Sequence, residues 1–253
     1  MNIMGEQRMT AEQVIDECKR VPTRAEVFGE REDRAVNPYW KPISHSHMVD
    51  TVMQAFDKHE IKVVDSAFAL NKTGHRIVGG FEVVGDCLPT TNVDGNFQLF
   101  TGGGNDFSKS QEFNGGMNLF ACTNGMMTGD QLAKHRHTAK LEFETWIVDE
   151  VVPSFIDKCT DINYSVDKMR EYELSDAEAY RLILESADSR IMPYARAIDV
   201  YREWQNPTFA DDDFQKNTMW KLYNDFTYVA QKCKPERQHQ IIREMHRELI
   251  SEC

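Results

Sequence analysis

Val49, Val52, Met53 and Phe56 recur at i, i+3, i+4 and i+7, the spacing that gives a helix one buried face. Ser44 or Ser46 just upstream supplies an N-cap. The pattern then changes. Ile61 to Leu70 is rich in β-branched and apolar residues, Asn71-Lys72-Thr73-Gly74 has turn composition, and Arg76 to Val84 reads as a second strand. Phe97–Phe100 and Met117–Cys122 supply two more strands, separated by a long glycine-rich loop, and Asn124-Gly125 closes a tight turn. Upstream, Thr10–Lys19 is amphipathic and Glu26–Arg34 is dense in charge, which predicts an N-terminal helix and an arm.

After Thr138 the period becomes helical. Leu141, Ile147, Val148, Val151, Val152 and Phe155 predict a long helix kinked near Pro153. Ser175 with Glu178 three residues on is a capping box, opening a helix that runs to about Ser186. Further helices follow over Tyr194–Trp204, over Met219–Ala230 and from Pro235, with Ile241, Ile242, Met245 and Leu249 inward in the last. Short strands with hairpin links predict an antiparallel sheet that needs a helical layer on one face. The fold class is therefore α+β, with a helical C-terminal half. The predicted organisation is an N-terminal helix and arm (1–38), a sheet region (39–138) and a helical region packed on the sheet (139–253), forming one compact domain.

Composition places this fold in solution. Of 253 residues, 41% are hydrophobic and 28% charged, enough for a full core. No stretch approaches the apolar length of a membrane span, and no apolar run near the start resembles a secretion signal. The six cysteines contain no C-x-x-C pair and suit reduced thiols, so a cytoplasmic location is expected. The net charge of −12 argues against a protein that coats nucleic acid with its whole surface. Its distribution is uneven: residues 1–140 carry 15 Lys+Arg against 18 Asp+Glu, and residues 141–253 carry 14 against 23. A basic groove is thus compatible with the first half alone.

Four kinds of chemistry can be weighed. Gly103 to Ser110 approaches the phosphate-loop pattern, but Ser108 replaces its second glycine and the following residues read as loop rather than helix. His45-Ser46-His47 and His135-Arg136-His137 are H-x-H pairs that could chelate zinc from a strand, yet no further metal signature accompanies them. Cys122 lies in an apolar strand, where a thiol is ordinarily a small hydrophobe. The fourth is a basic patch, Lys134, His135, Arg136, His137 and Lys140, read as leading into the long helix. Lys134, Arg136 and Lys140 suit phosphates, while histidine rings, Phe107 or Phe113 suit stacking on unpaired bases. Lys72, His75 and Arg76 form a second basic spot at a hairpin turn. The candidate nucleic-acid-binding residues are Lys72, Arg76, Lys134, Arg136, His137 and Lys140. Trp220 and Tyr223 are read as core.

Several segments, in order, resemble the phage/plasmid-like family, a domain of unknown function numbered nine-three-two. Tyr39 to Phe56 with its Lys-Pro-Ile-Ser-His start is similar to that family's opening helix. Phe120-Ala121-Cys122-Thr123-Asn124-Gly125 resembles its cysteine-x-asparagine-glycine strand end, and Arg136-His137-Thr138 its arginine-histidine-threonine element. Trp204, Pro207 and Asn217 to Asn224 resemble its C-terminal tryptophan-leucine-tyrosine-asparagine helix, so the likeness covers roughly residues 38–232. The resemblance implies a bacteriophage or plasmid origin and a role inside the host cell. At the level of fold alone, the element order is similar to that of Rad52-like single-strand annealing proteins. The function expected from this is single-stranded DNA binding, with strand annealing in recombination, by a non-enzymatic homo-oligomer without cofactor, metal or membrane. The alternative is a protein-interaction module, such as an inhibitor or decoy of a host protein, using the acidic helical half. A small hydrolase or nuclease using the histidines is the third reading.

Overall fold

The structure, a computed structural model, describes residues 8–28, 40–90, 95–108, 110–119, 130–137, 142–208, 216–233 and 235–253. The predicted Asn124-Gly125 turn, Cys122 and Lys140 lie outside these residues. The chain's contacts divide it into two compact units. The first comprises Met1–Pro89, Asn96–Gly116 and Asp130–Cys159, and the second Thr90–Gly95, Met117–Gly129 and Thr160–Cys253.

The first unit is built on a six-stranded sheet whose strands lie in chain order. They are β1 (Arg8–Met9), β2 (Ile61–Leu70), β3 (Arg76–Gly85), β4 (Gly95–Asp106), β5 (Gln111–Leu119) and β6 (Asp130–His135). β2 pairs antiparallel with β1 and β3, β3 with β4, and β5 with β6. The predicted sheet is present, with three differences from the sequence reading. Arg8–Met9 adds an edge strand beside Phe68 and Ala69. The glycines expected in a loop lie within β4, where Ile77 pairs with Asn105 but Gly79 with Thr101, so the extra residues form a bulge. Lys134 and His135, expected to enter a helix, close strand β6 opposite Glu112 and Gln111.

Helices α1 (Ala11–Glu17) and α3 (His45–Lys58) pack on this sheet. A capping box between Thr10 and Gln13 starts α1, and its Ala11 N–H donates to Ser66 Oγ of β2 at 2.9 Å. Val49, Val52 and Phe56 of α3 are buried as their spacing predicts, whereas Met53 is half-buried and Met48 takes the remaining place in the core. Phe56 meets Phe81 of β3 edge-on, with ring centroids 5.5 Å apart, and Phe81 meets Phe68 at 5.2 Å. A buried phenyl ring of this kind contributes about 1.5–3 kcal/mol. A short helix, α2, spans Arg24–Phe28.

The predicted long helix starts as α4 (Phe143–Trp146), passes through a π-helical turn at Ile147–Val151, and continues as α5 (Val152–Glu171). Pro153 has no N–H to give to the preceding turn, and beside it the Val152 N–H reaches back to Ile147 O. The predicted kink thus takes the form of a π-bulge.

From Thr160 onward, the elements described in the second unit are helices. α6 (Asp176–Asp188) opens on the predicted capping box: Ser175 Oγ accepts from Glu178 N at 3.3 Å, and the Glu178 carboxylate accepts from Ser175 N at 2.8 Å. α7 (Tyr194–Gln205), α8 (Met219–Ala230) and α9 (Pro235–Glu252) follow. Every residue of α8 except Tyr228 is buried. It therefore has no solvent face and carries Lys221, Asn224 and Asp225 into the interior. Lys221 Nζ donates to Trp204 O at 2.6 Å and lies 3.9 Å from the centre of the Trp204 ring. Asp225, packed a turn from Lys221, holds its proton up to about pH 8, because burial disfavours the carboxylate more than the Lys221 charge favours it.

Candidate functional site at the loop end of the sheet

One end of the sheet gathers the β2–β3 turn, the β4–β5 turn, the C-terminal end of β6 and the N-terminus of α3. Asn71 shapes the first turn: its Oδ1 accepts from His75 N at 2.9 Å and Arg76 N at 3.1 Å. Gly74 completes the turn at φ +70°, a region other residues rarely enter. Asp106 shapes the second turn, accepting from Ser108 N at 2.9 Å. Ser44 caps α3 through His47 N, leaving His45 as the first helical residue, turned inward.

His45 fastens these pieces together. Its Nε2 lies 3.0 Å from Gly74 O, and its Nδ1 lies 3.0 Å from Asn105 Nδ2, which also donates to Ile43 O at 2.9 Å. An amide NH2 can only donate, so Nδ1 accepts and the ring proton sits on Nε2, pointing at Gly74 O. The imidazole is neutral: burial lowers its pKa from 6.5 to about 4, against the opposing pull of the Gly74 bond. Phe107 stacks on it at 4.5 Å, gives its N–H to His75 O, and accepts the Trp40 indole N–H at 3.0 Å.

His137 repeats the device from the other side. Its Nε2 donates to Asp106 O at 3.1 Å, and burial lowers its pKa as well. Strand β5 lies between β4 and β6, so this ring crosses the start of β5 to reach Asp106. Beneath that crossing the polar atoms are buried and under-satisfied. His137 Nδ1, Asn105 Oδ1 and both amide atoms of Gln111 have no hydrogen-bond partner among the described residues. Such a concentration is rare in a core built for stability alone.

The sequence-predicted cations surround this end. Lys72 is exposed in the β2–β3 turn, and Arg76 is exposed as the first residue of β3. Lys134 is exposed on β6, paired with Glu112 at 3.0 Å, and Arg136 is exposed just beyond the strand. Strand alternation puts Arg76 and Lys134 on the face opposite α3, because Phe81 and Phe113 point to the helices. Three strand spacings, about 14 Å, separate β3 from β6. His137 is not an exposed contact residue but a buried fastening. Phe107 and Phe113, considered as stacking platforms for bases, are also buried, at 0% and 1% exposure. The rings of each H-x-H pair go to separate partners: His45 binds Gly74 and Asn105 while His47 pairs with Glu144 at 2.8 Å, and His137 binds Asp106 O while His135 Nδ1 lies 2.7 Å from Arg136 O. Among the described residues no three His, Cys, Asp or Glu side chains converge as metal ligands. β5 follows Ser110 directly, so no helix stands behind the glycine-rich segment to bind a phosphate.

A family model described as a domain of unknown function (DUF932) matches residues 34–249. The chain belongs to the DUF932 family. The match covers most of both units, so the sheet end and the buried helix α8 both fall inside the DUF932 domain. No curated protein and no solved structure matches the chain. No helix among its described residues is long and apolar enough to cross a membrane. The cations and histidines of this DUF932 protein are legible in its sequence, whereas Asn105, Gln111 and Trp40 carry no local signal of their roles.

Proposed function

We propose that this DUF932 protein binds single-stranded DNA along the loop end of its sheet and promotes strand annealing in phage or plasmid recombination. The observation that carries this reading is the arrival of Lys72, Arg76, Lys134 and Arg136, from two separate stretches of an acidic chain, at one end of one sheet. A track of cations neutralises successive phosphates without regard to sequence. The reading asks for no reacting group. The neutral histidines and Asn105 give the track a rigid base by tying both turns to α3 and to each other.

Fluorescence anisotropy with a single-stranded oligonucleotide tests it. Four phosphate contacts give a slope of about −3 in log affinity against log salt, or a roughly 50-fold loss between 50 and 200 mM. Arg136→Ala is expected to make that slope shallower by about one, equally for all sequences. Charge reversal at all four cations is expected to abolish binding while the circular dichroism spectrum stays unchanged. No wild-type binding at low salt, or unchanged affinity in the reversed variant, overturns the proposal.

A further inference from the structure

Asn105 and Gln111 face each other across two strands. The Asp106 N–H donates to Ser110 O at 3.3 Å, which closes the β4–β5 turn and sets Asp106 opposite Ser110. One step in, Asn105 therefore lies opposite Gln111, and Gln111 in turn lies opposite His135 of β6. Both amides are wholly buried, at 0% exposure, on the face that carries α3, where Asn105 reaches Ile43 O and His45. His137, two residues beyond His135 and 4% exposed, swings its ring over to Asp106 O. That ring lies 6.0 Å from Phe107, which is itself stacked on His45. β4, β5 and the end of β6 thus deliver three buried polar side chains to one spot.

Chemistry settles what each free atom can do. Asn105 Nδ2 gives its two protons to Ile43 O and His45 Nδ1, which leaves Oδ1 as an acceptor. His137 Nε2 faces a carbonyl, which can only accept, so the ring proton is on Nε2 and Nδ1 is a second acceptor. The Gln111 amide presents a donor whichever way round it sits. None of these groups has a hydrogen-bond partner among the described residues, although buried polar atoms are nearly always paired. A molecule that pairs them must donate twice and accept once. An anion lacks the protons, and a cation has no lone pair to offer the amide. A neutral molecule with an oxygen and two protons does both. In a spot closed to solvent, water is the smallest such molecule, and buried waters typically make about three hydrogen bonds.

We infer that Asn105 Oδ1, His137 Nδ1 and the Gln111 amide hold an internal water, which donates to the first two and accepts from the third. The water adds β5 to the clasp that His45, Asn105 and His137 form between the turns and α3. It lies on the sheet face opposite Arg76 and Lys134, so this inference stands apart from the DNA-binding reading. Gln111→Met tests it by the sign of a stability change. Methionine is close to glutamine in length and volume but has no amide. Where the amide holds a water, the substitution strips that water of its donor and lowers the urea midpoint. Where the amide is unpaired, the substitution removes a desolvation penalty and raises the midpoint. A lowered midpoint is expected. A high-resolution crystal structure of the wild type is expected to show one solvent peak about 2.7–3.2 Å from each of the three groups. A midpoint that rises or stays unchanged overturns the inference. So does a lowered midpoint in a protein whose crystal structure shows no such peak, or shows an ion or an organic molecule in its place.

Discussion

Gly79 shows how much one position can fix. It sits at φ +152° opposite Phe68, and a Cβ there would lie 2.2 Å from Ala67 O and 2.6 Å from Phe68 Cα. Both obstacles are backbone, so they cannot rotate aside. Gly79→Ala is therefore expected to cost on the order of 2–4 kcal/mol, read as a lowered urea midpoint. The sequence marks this place only as Gly79-Gly80 within a strand pattern. The histidines were equally visible and equally ambiguous. An H-x-H pair looks the same whether its rings meet a metal or a backbone carbonyl, and the carbonyls of Gly74 and Asp106 leave no trace in residue identity.

Elements differed in how legible they were, and the reason is physical. α8 was readable because its apolar residues recur at helical spacing, and Trp220, Tyr223 and Phe226 are indeed 3%, 1% and 0% exposed. Trp220→Ala is expected to destabilise by about 3–5 kcal/mol, as loss of a buried large aromatic does, measured by chemical denaturation. The capping box of α6 was readable because both partners lie within four residues. β6 was not. Its sequence, Asp-Gln-Leu-Ala-Lys-His, has no β-branched residue, and only pairing with β5 makes it a strand. β1 is two residues long and owes its existence to a partner about sixty positions away, which no local window can detect. The same blindness separated the cations into two spots in the sequence. Their meeting depends on β3 and β6 belonging to one sheet.

At the scale of the whole molecule, each unit buries a titratable group in its uncharged form, and the two groups are of opposite kind. His45, facing His137, His75 and Asp106, takes a proton near pH 6.5 when unfolded but only near 4 when folded. In that window the unfolded chain binds more protons, so the first unit loses stability as pH falls, by roughly 3 kcal/mol in all. Asp225, facing Lys221 and Glu203, releases its proton near 3.8 when unfolded but only near 8 when folded. There the folded chain binds more protons, so the second unit loses stability as pH rises. A single chain thus holds two proton balances of opposite sign that overlap between about pH 4 and 6.5. Hydrogen exchange compared at pH 5 and 7.5, corrected for intrinsic rates, is expected to show α8 better protected at pH 5 and the start of α3 better protected at pH 7.5. Protection that changes in the same direction in both would show that these buried groups do not set the pH response. Where the two slopes cancel, global stability is flat with pH even though neither part of the molecule is insensitive to it.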